Sequence, residues 1–282
     1  MSVIVVTDSS SRLPASLADR YGITQVPLHV TMPDGSEYLE GVDPIPSEVI
    51  ATPGVSTSGA NPQDLEKFYA EALARSDGDG VVAVHMSRRL SGTWAAARLV
   101  SEEFGESLRI VDSRAAGVSV GLTVLAAAQA AEGGADRDQV YEVAVRAAAT
   151  AESLLCVQTL ENLRNSGRIS AASHLLGSAL SIKPILHMED GVLALKERQR
   201  TTTKAINRMI DSIVEHVGAD EVTVAVQHCQ APGLAVEVLE RVCDRLPKVT
   251  SSLVVDLGQV LGVHVGRGAV GIATGHGLLP LD

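Results

Sequence analysis

Three short polar clusters carry the residues best suited to chemistry: Asp8-Ser9-Ser10, Ser91-Gly92-Thr93 and Asp112-Ser113. Each follows an apolar run (residues 3–6, 81–84 and 108–111), so each falls beyond the carboxyl end of an expected strand. Open parallel sheets collect their ligands there. In the middle cluster Gly92 permits close backbone approach, and the hydroxyls of Ser91 and Thr93 stand beside free N–H groups at a helix start. Such a group is a neutral receptor for an anion. The same residue types also serve as plain helix caps: Ser91 as an N-cap, Asp8 and Asp112 ahead of the helices after their strands. Thr57-Ser58, in a Gly/Pro-rich stretch, suits an ordinary turn pair, and His264, between Gly262 and Gly266, a hydrogen-bonded turn histidine.

Several chemistries are excluded. The chain has no GxxxxGK[ST], no GxGxxG after its first strand and no HExxH. The context of Ser91, Arg89-Leu90-Ser91-Gly92-Thr93, is not a GxSxG nucleophile elbow. Cys156, Cys229 and Cys243 show no CxxC spacing, so the sequence predicts free, buried thiols and neither a metal site nor a disulfide.

The elements that must position these clusters alternate through the first half. Strands are expected at 3–7, 26–30, 81–85 and 108–111, and helices at 14–21, 62–74, 93–104, 115–131 and 138–151. Pro27 restricts the 26–30 run to an edge strand. Residues 31–61, with Pro33, Pro44, Pro46 and Pro53 and several glycines, read as a long irregular excursion, a form usually kept for function. After about residue 153 the pattern changes. A strand at 154–157 leads into helical material over 160–181, broken at Ser166-Gly167. A hairpin folded at Asp190-Gly191 follows, then helices at 201–217 and 231–246 and strands at 222–227, 251–255 and 269–273. The fold class is therefore α/β with two domains: residues 1–153 as a parallel-sheet α/β domain, and 154–282 as an α+β domain, with a ligand cleft between them.

Composition narrows the partners. The net charge is −11, and no basic run exceeds Arg88-Arg89, which argues against nucleic acid. With two Phe, four Tyr and one Trp, the core must be built from Ala, Val, Leu and Ile. The start lacks a basic segment before Asp8, and the uncharged stretch 115–131 is too short and polar to span a bilayer. A cytoplasmic protein without a transmembrane segment is expected.

Taken together and in order, Thr7-Asp8-Ser9-Ser10, Thr57-Ser58, Ser87 through Leu90-Ser91-Gly92-Thr93, Val111-Asp112-Ser113, Gly167-Arg168-Ile169-Ser170, Lys183-Pro184-Ile185-Leu186 and His264 with Gly266, Gly268 and Gly271 resemble the DegV family. This family includes the fatty-acid-binding (FakB-type) subunits of bacterial fatty acid kinase. The resemblance implies one long-chain fatty acid buried between two domains, its carboxylate at Thr57, Ser58, Ser91, Gly92 and Thr93 with His264 and Arg168 close by. Asp8, Ser9, Ser10, Asp112 and Ser113 take supporting places. It implies no catalytic residue, metal or cofactor in this chain, a separate ATP-dependent kinase as partner, and at most transient membrane contact. Burying about 14 methylenes at about 0.8 kcal/mol each gives roughly 11 kcal/mol before ordering costs. The chain departs from the family pattern at Gly59, at Asn165-Ser166 and at Arg267, whose charge is expected near the head group. Arg168, Arg198 and Arg200 are the expected kinase-facing cations.

Two other functions fit the same residues. One is an α/β enzyme acting on a small anionic metabolite, with Asp8, Asp112 and His264 as acid–base groups. The other is a sensor whose domains close on a lipid.

Overall fold

In a computed structural model that describes residues 3–170 and 182–281, the chain opens with strand β1 (Ile4–Asp8), a 3-10 turn, helix α1 (Ala15–Arg20) and strand β2 (Thr24–Val26). A small antiparallel sheet follows, in the order β4 (Glu37–Leu39), β3 (His29–Thr31), β5 (Ser56–Ser58). Helix α2 (Pro62–Ser76) is started by Asn61, whose side chain accepts from the Asp64 N–H, with Pro62 in its first turn. Then come β6 (Val81–His85), α3 (Thr93–Ser101), β7 (Leu108–Asp112), α4 (Val118–Glu132) and α5 (Arg137–Thr150). Strands β2, β1, β6 and β7, in that order, form a wholly parallel sheet.

The rest of the chain supplies a six-stranded sheet in the order β10-β9-β8-β13-β11-β12. Its strands are β8 (Glu152–Cys156), β9 (Lys183–Glu189), β10 (Val192–Gln199), β11 (Val222–His228), β12 (Val249–Asp256) and β13 (Val270–His276). Only β11 and β12 run parallel. Asp190 and Gly191 turn the β9–β10 hairpin, both with φ above +50°, as a tight turn matched to the strand twist requires. Helices α6 (Glu161–Asn165), α7 (Thr202–Val217), α8 (Pro232–Cys243) and α9 (Gly258–Val265) complete the described elements. The helical pattern at 171–181 lies outside the described residues.

Helix α4 explains how the two sheets share one core. It is apolar all round and buried along nearly its whole length, touching β1 and β6 of the first sheet and β11 and β13 of the second. A helix without a polar face must be covered on every side. The uncharged stretch is thus an interior helix.

Three expectations need correction. The 26–30 run is not one strand. It divides at Pro27, so β2 ends in the parallel sheet and β3 begins in another, because proline cannot donate to a ladder. The 31–61 excursion contains β4, a 3-10 turn and β5; the two strands are held by pairings to β3 that three-residue strands cannot announce through periodicity. Cys156 and Cys229 are buried, but Cys243 is partly exposed. Burial pushes the Cys156 thiol up to about 11, against an opposing pull from Lys183. It pushes Cys229 up to about 12, with Asp256 adding to the effect. Neither is a thiolate at neutral pH.

Helix α9 is set in place by Glu40, which follows β4. Its buried carboxylate accepts from Ser9 Oγ (2.8 Å) and from the Val260 N–H (3.0 Å), with Arg12 Nη1 3.5 Å away. Arg12 also donates to the Asp256 carbonyl just ahead of α9. Gly258 has a φ of +72°, and a Cβ there would sit 2.4 Å from Glu40 Oε1, so only glycine lets the helix start that close. Replacing Glu40 with Ala leaves three donors without their acceptor and is expected to cost about 3 kcal/mol. A urea titration showing a lower midpoint at unchanged slope checks this; an unaltered midpoint contradicts it.

Candidate functional site

Helix α9 presents Leu257, Val260, Leu261, His264 and Val265 to a single cavity. The spacing i, i+3, i+4, i+7, i+8 places all five on one helical face. That stripe is about 12 Å long at 1.5 Å per residue, and it walls a cavity of about 840 Å³, mouth included. The floor is one face of the six-stranded sheet: Gln227 on β11, Leu155 and Ser153 on β8, Met188 and Leu193 on the hairpin. Gln227 and Leu155 both pair with Gly271 of β13, which offers no side chain between them. The roof comes from segments following parallel strands: Leu28 after β2, Met86 after β6, Ala116 and Gly117 after β7. The cavity thus lies at the carboxyl end of the parallel sheet, as open α/β sheets dictate.

Polar groups gather near the carboxyl end of α9. Thr57 Oγ1 lies 2.7 Å from His264 Nε2, and both line the cavity with Ser58, Ser91, Gly92 and Arg168. Ser91 Oγ is 3.0 Å from Thr93 Oγ1 and accepts from the Thr93 N–H at 3.2 Å. Thr93 Oγ1 accepts in turn from the Ala60 N–H. A Cβ at Gly59 would fall 2.6 Å from Thr93 Oγ1 and 2.9 Å from Ser91 Oγ. Gly59 is therefore what lets β5 press against the start of α3, which accounts for glycine at this departure from the expected pattern. Burial first, then the neighbouring Arg168 charge, push the His264 imidazole down to about 4, so it is neutral at pH 7. Its Nδ1 is buried without a hydrogen-bond partner among the described residues.

The structure brings together Thr57, Ser58, Ser91, Gly92, His264 and Arg168, drawn from four separate segments. Thr93 is fully buried behind Ser91 and orients it without lining the cavity. Ser91 is not the cap residue of α3; Gly92 holds that position, because the chain has already turned through the Leu90 and Ser91 N–H bonds to the Ser87 carbonyl. Asp8, Ser9 and Ser10 do not line the cavity. Asp8 caps the 3-10 turn as expected, but its second oxygen accepts from the Met86 N–H and meets His85 Nδ1 at 2.9 Å. Burial alone raises such a carboxyl; the hydrogen bond and charge of His85, with Ser10 and the Met86 N–H, hold it below its ordinary value. Ser9 serves Glu40. Asp112 does not cap α4, which begins only at Val118; it accepts from the Arg88 and Arg114 N–H groups and pairs with Arg88 Nε at 3.3 Å. Ser113 closes a turn with Ala115.

Asp8, Asp112 and His264 therefore do not converge, and the acid–base arrangement set out for a small anion is not formed. His264 belongs to a helix, not a turn: Gly258, Gly262 and Gly266 mark close packing and termini around α9. Arg267 is exposed and does not line the cavity, contrary to the expected charge near its polar end. Arg198 and Arg200 are exposed on and after β10. Glu40, Gln227 and the apolar stripe of α9 escaped the sequence reading, although the stripe's spacing was there to be counted.

The DegV family model matches residues 2–275. A DegV domain-containing protein of Mycobacterium tuberculosis is 44% identical over 280 residues, covering 99% of each chain. A DegV family protein from Thermus thermophilus, whose structure concerns fatty acid binding, superposes with a TM-score of 0.91 at 30% identity, covering 98% of this chain and 100% of the other. A DegV family protein from Ruminococcus gnavus, solved with vaccenic acid, gives 0.85 at 25% identity, covering 97% and 99%.

Two outcomes follow from the polar end. His264 is expected to titrate near 4 rather than at its ordinary 6.5. Its lowered folded-state value means the unfolded chain takes the proton first, so stability present above about 6.5 is lost as pH falls through about 4. NMR titration of the imidazole checks this: Arg168→Gln should raise the midpoint, and a wild-type midpoint near 6.5 contradicts the assignment. Gly59→Ala should destabilise by about 1–3 kcal/mol through the forced shift of Thr93, measured by thermal unfolding.

Proposed function

This chain belongs to the DegV family, and from that premise we propose that its cavity holds one long-chain fatty acid and presents the carboxylate at the surface. The observation that carries the reading is the shape of the chemistry: an aliphatic cavity ending in hydroxyls and the neutral His264 imidazole, with Arg168 beside them. A methylene chain gains from every apolar wall it touches, while the hydroxyls supply donors to the carboxylate without burying a full counter-charge.

In this reading Thr57 and Ser91 donate to the carboxylate. His264 donates Nε2–H to Thr57 Oγ1, which turns the threonine proton toward the ligand and leaves Nδ1 as a bare lone pair. Arg168 adds long-range attraction. Ser58 and Gly92 shape the pocket's rim, while Thr93 keeps Ser91 in place. The chain itself supplies no chemistry. A separate kinase transfers the γ-phosphoryl group of ATP to a carboxylate oxygen, giving an acyl phosphate and ADP, with the exposed Arg198 and Arg200 on the face it meets. The two domains, 1–153 and 154–282, meet around the acyl chain. None of the described helices is long and apolar enough to cross a membrane.

The direct test is organic extraction of the purified chain followed by mass spectrometry, which should yield about one fatty acid per chain. Ser91→Ala and Thr57→Val should each weaken binding about tenfold, the worth of one hydrogen bond to a charged group. Wild-type affinity in both variants would remove the carboxylate from this end of the cavity. Acyl phosphate should appear only when ATP and a kinase are added; turnover by the isolated chain would contradict the carrier reading.

A further inference from the structure

The cavity's polar end is accounted for by the carboxylate, but its opposite end is not purely apolar. Helix α9 runs about 10 Å from His264 back to Leu257. The Leu257 N–H donates to the His228 carbonyl at 2.7 Å, which sets the neighbouring Gln227 at the Leu257 end of that stripe, away from His264. Gln227 is 3% exposed and its side chain lines the floor there. Its Oε1 accepts from the Val118 N–H at 2.9 Å, which fixes the amide's orientation and leaves Nε2 as the outward donor. Nε2 makes no hydrogen bond to any described residue.

The surroundings keep that donor open. A Cβ at Gly271 would stand 3.2 Å from Nε2, and one at Gly117 would collide with Oε1 at 2.1 Å, so two glycines make room for the amide. The Ser153 hydroxyl lies on the same floor, on β8. The other neighbours at this end, Leu257, Ala116 and Gly117, carry no charge. A buried amide donor beside an alkyl chain costs free energy unless something accepts from it. A second carboxylate there would find no cation among the described lining residues to offset its desolvation. A neutral oxygen would satisfy the donor without that cost.

We propose that the far end of this cavity recognises a neutral oxygen substituent, a hydroxyl or keto group, carried by the acyl chain well away from its carboxylate, with Gln227 Nε2 as the donor. The inference rests on the fatty-acid reading above and adds a substrate class to it: oxygenated fatty acids.

The test uses the full-length chain freed of lipid and measures competition among stearate, 10-hydroxystearate, 12-hydroxystearate and 12-ketostearate. At least one oxygenated chain should bind about tenfold more tightly than stearate, the gain from one satisfied buried donor. In Gln227→Met that advantage should fall to parity, with thermal unfolding used to confirm that the variant is folded. The wild-type comparison stands even if it is not. If no oxygenated chain outcompetes stearate, or if the advantage survives in Gln227→Met, the inference is overturned. If stearate itself does not bind, the fatty-acid reading falls as well, which separates the two failures.

Discussion

A carboxylate taken out of water must find donors wherever the chain brings them, and Glu40 finds them on segments far apart in sequence. Its oxygens gather Ser9 from the end of β1, Arg12 from the turn that follows, and the Val260 N–H from the first turn of α9. A helix N-terminus welcomes negative charge, so the contact also suits the dipole of α9. The result is that α9 is held against the carboxyl end of the parallel sheet, with its apolar stripe facing inward. Everything the cavity does depends on that placement: without α9 the floor of the second sheet and the loops of the first would face each other across open solvent.

The cavity's two materials follow from composition. Two Phe, four Tyr and one Trp serve the whole chain, so Leu, Val, Ala and Met line the cavity. At the polar end the chain avoids a buried counter-charge on the ligand side, using hydroxyls that Gly59 allows to crowd together and an imidazole kept neutral by burial and by Arg168. In the proposed reading, a carboxylate bound this way keeps its charge available to a partner rather than having it cancelled.

The buried Asp8, His85 and Tyr69 show how a motif can matter without touching ligand. Asp8 meets His85 at Nδ1, His85 meets the Tyr69 hydroxyl at 2.7 Å, and all three are sealed from solvent. Their work is to hold the turn after β6, and hence Met86, in the cavity roof. Asp112 does the same for Arg88 and Arg114 at the neighbouring strand end. The polar residues beyond the strands divide in their roles by burial, which only packing reveals.

The order of strands and helices, the interior character of α4 and the Asp190-Gly191 hairpin were legible from local pattern, because periodicity and turn chemistry act over a few residues; Thr57, Ser91 and His264 stood out as a set only through the family resemblance. The sheet β4-β3-β5, the helix around His264 and the fate of Asp8, Ser9 and Asp112 were not legible. Three-residue strands exist only through distant partners, and the glycines of α9 look like turns until a neighbour close enough to need them is in place. The sequence by itself determined which elements form and which hydroxyls stand at their ends. Tertiary structure alone decided which of those ends meet, since the contact of Thr57 with His264 and of Glu40 with Val260 joins residues with no local signal linking them.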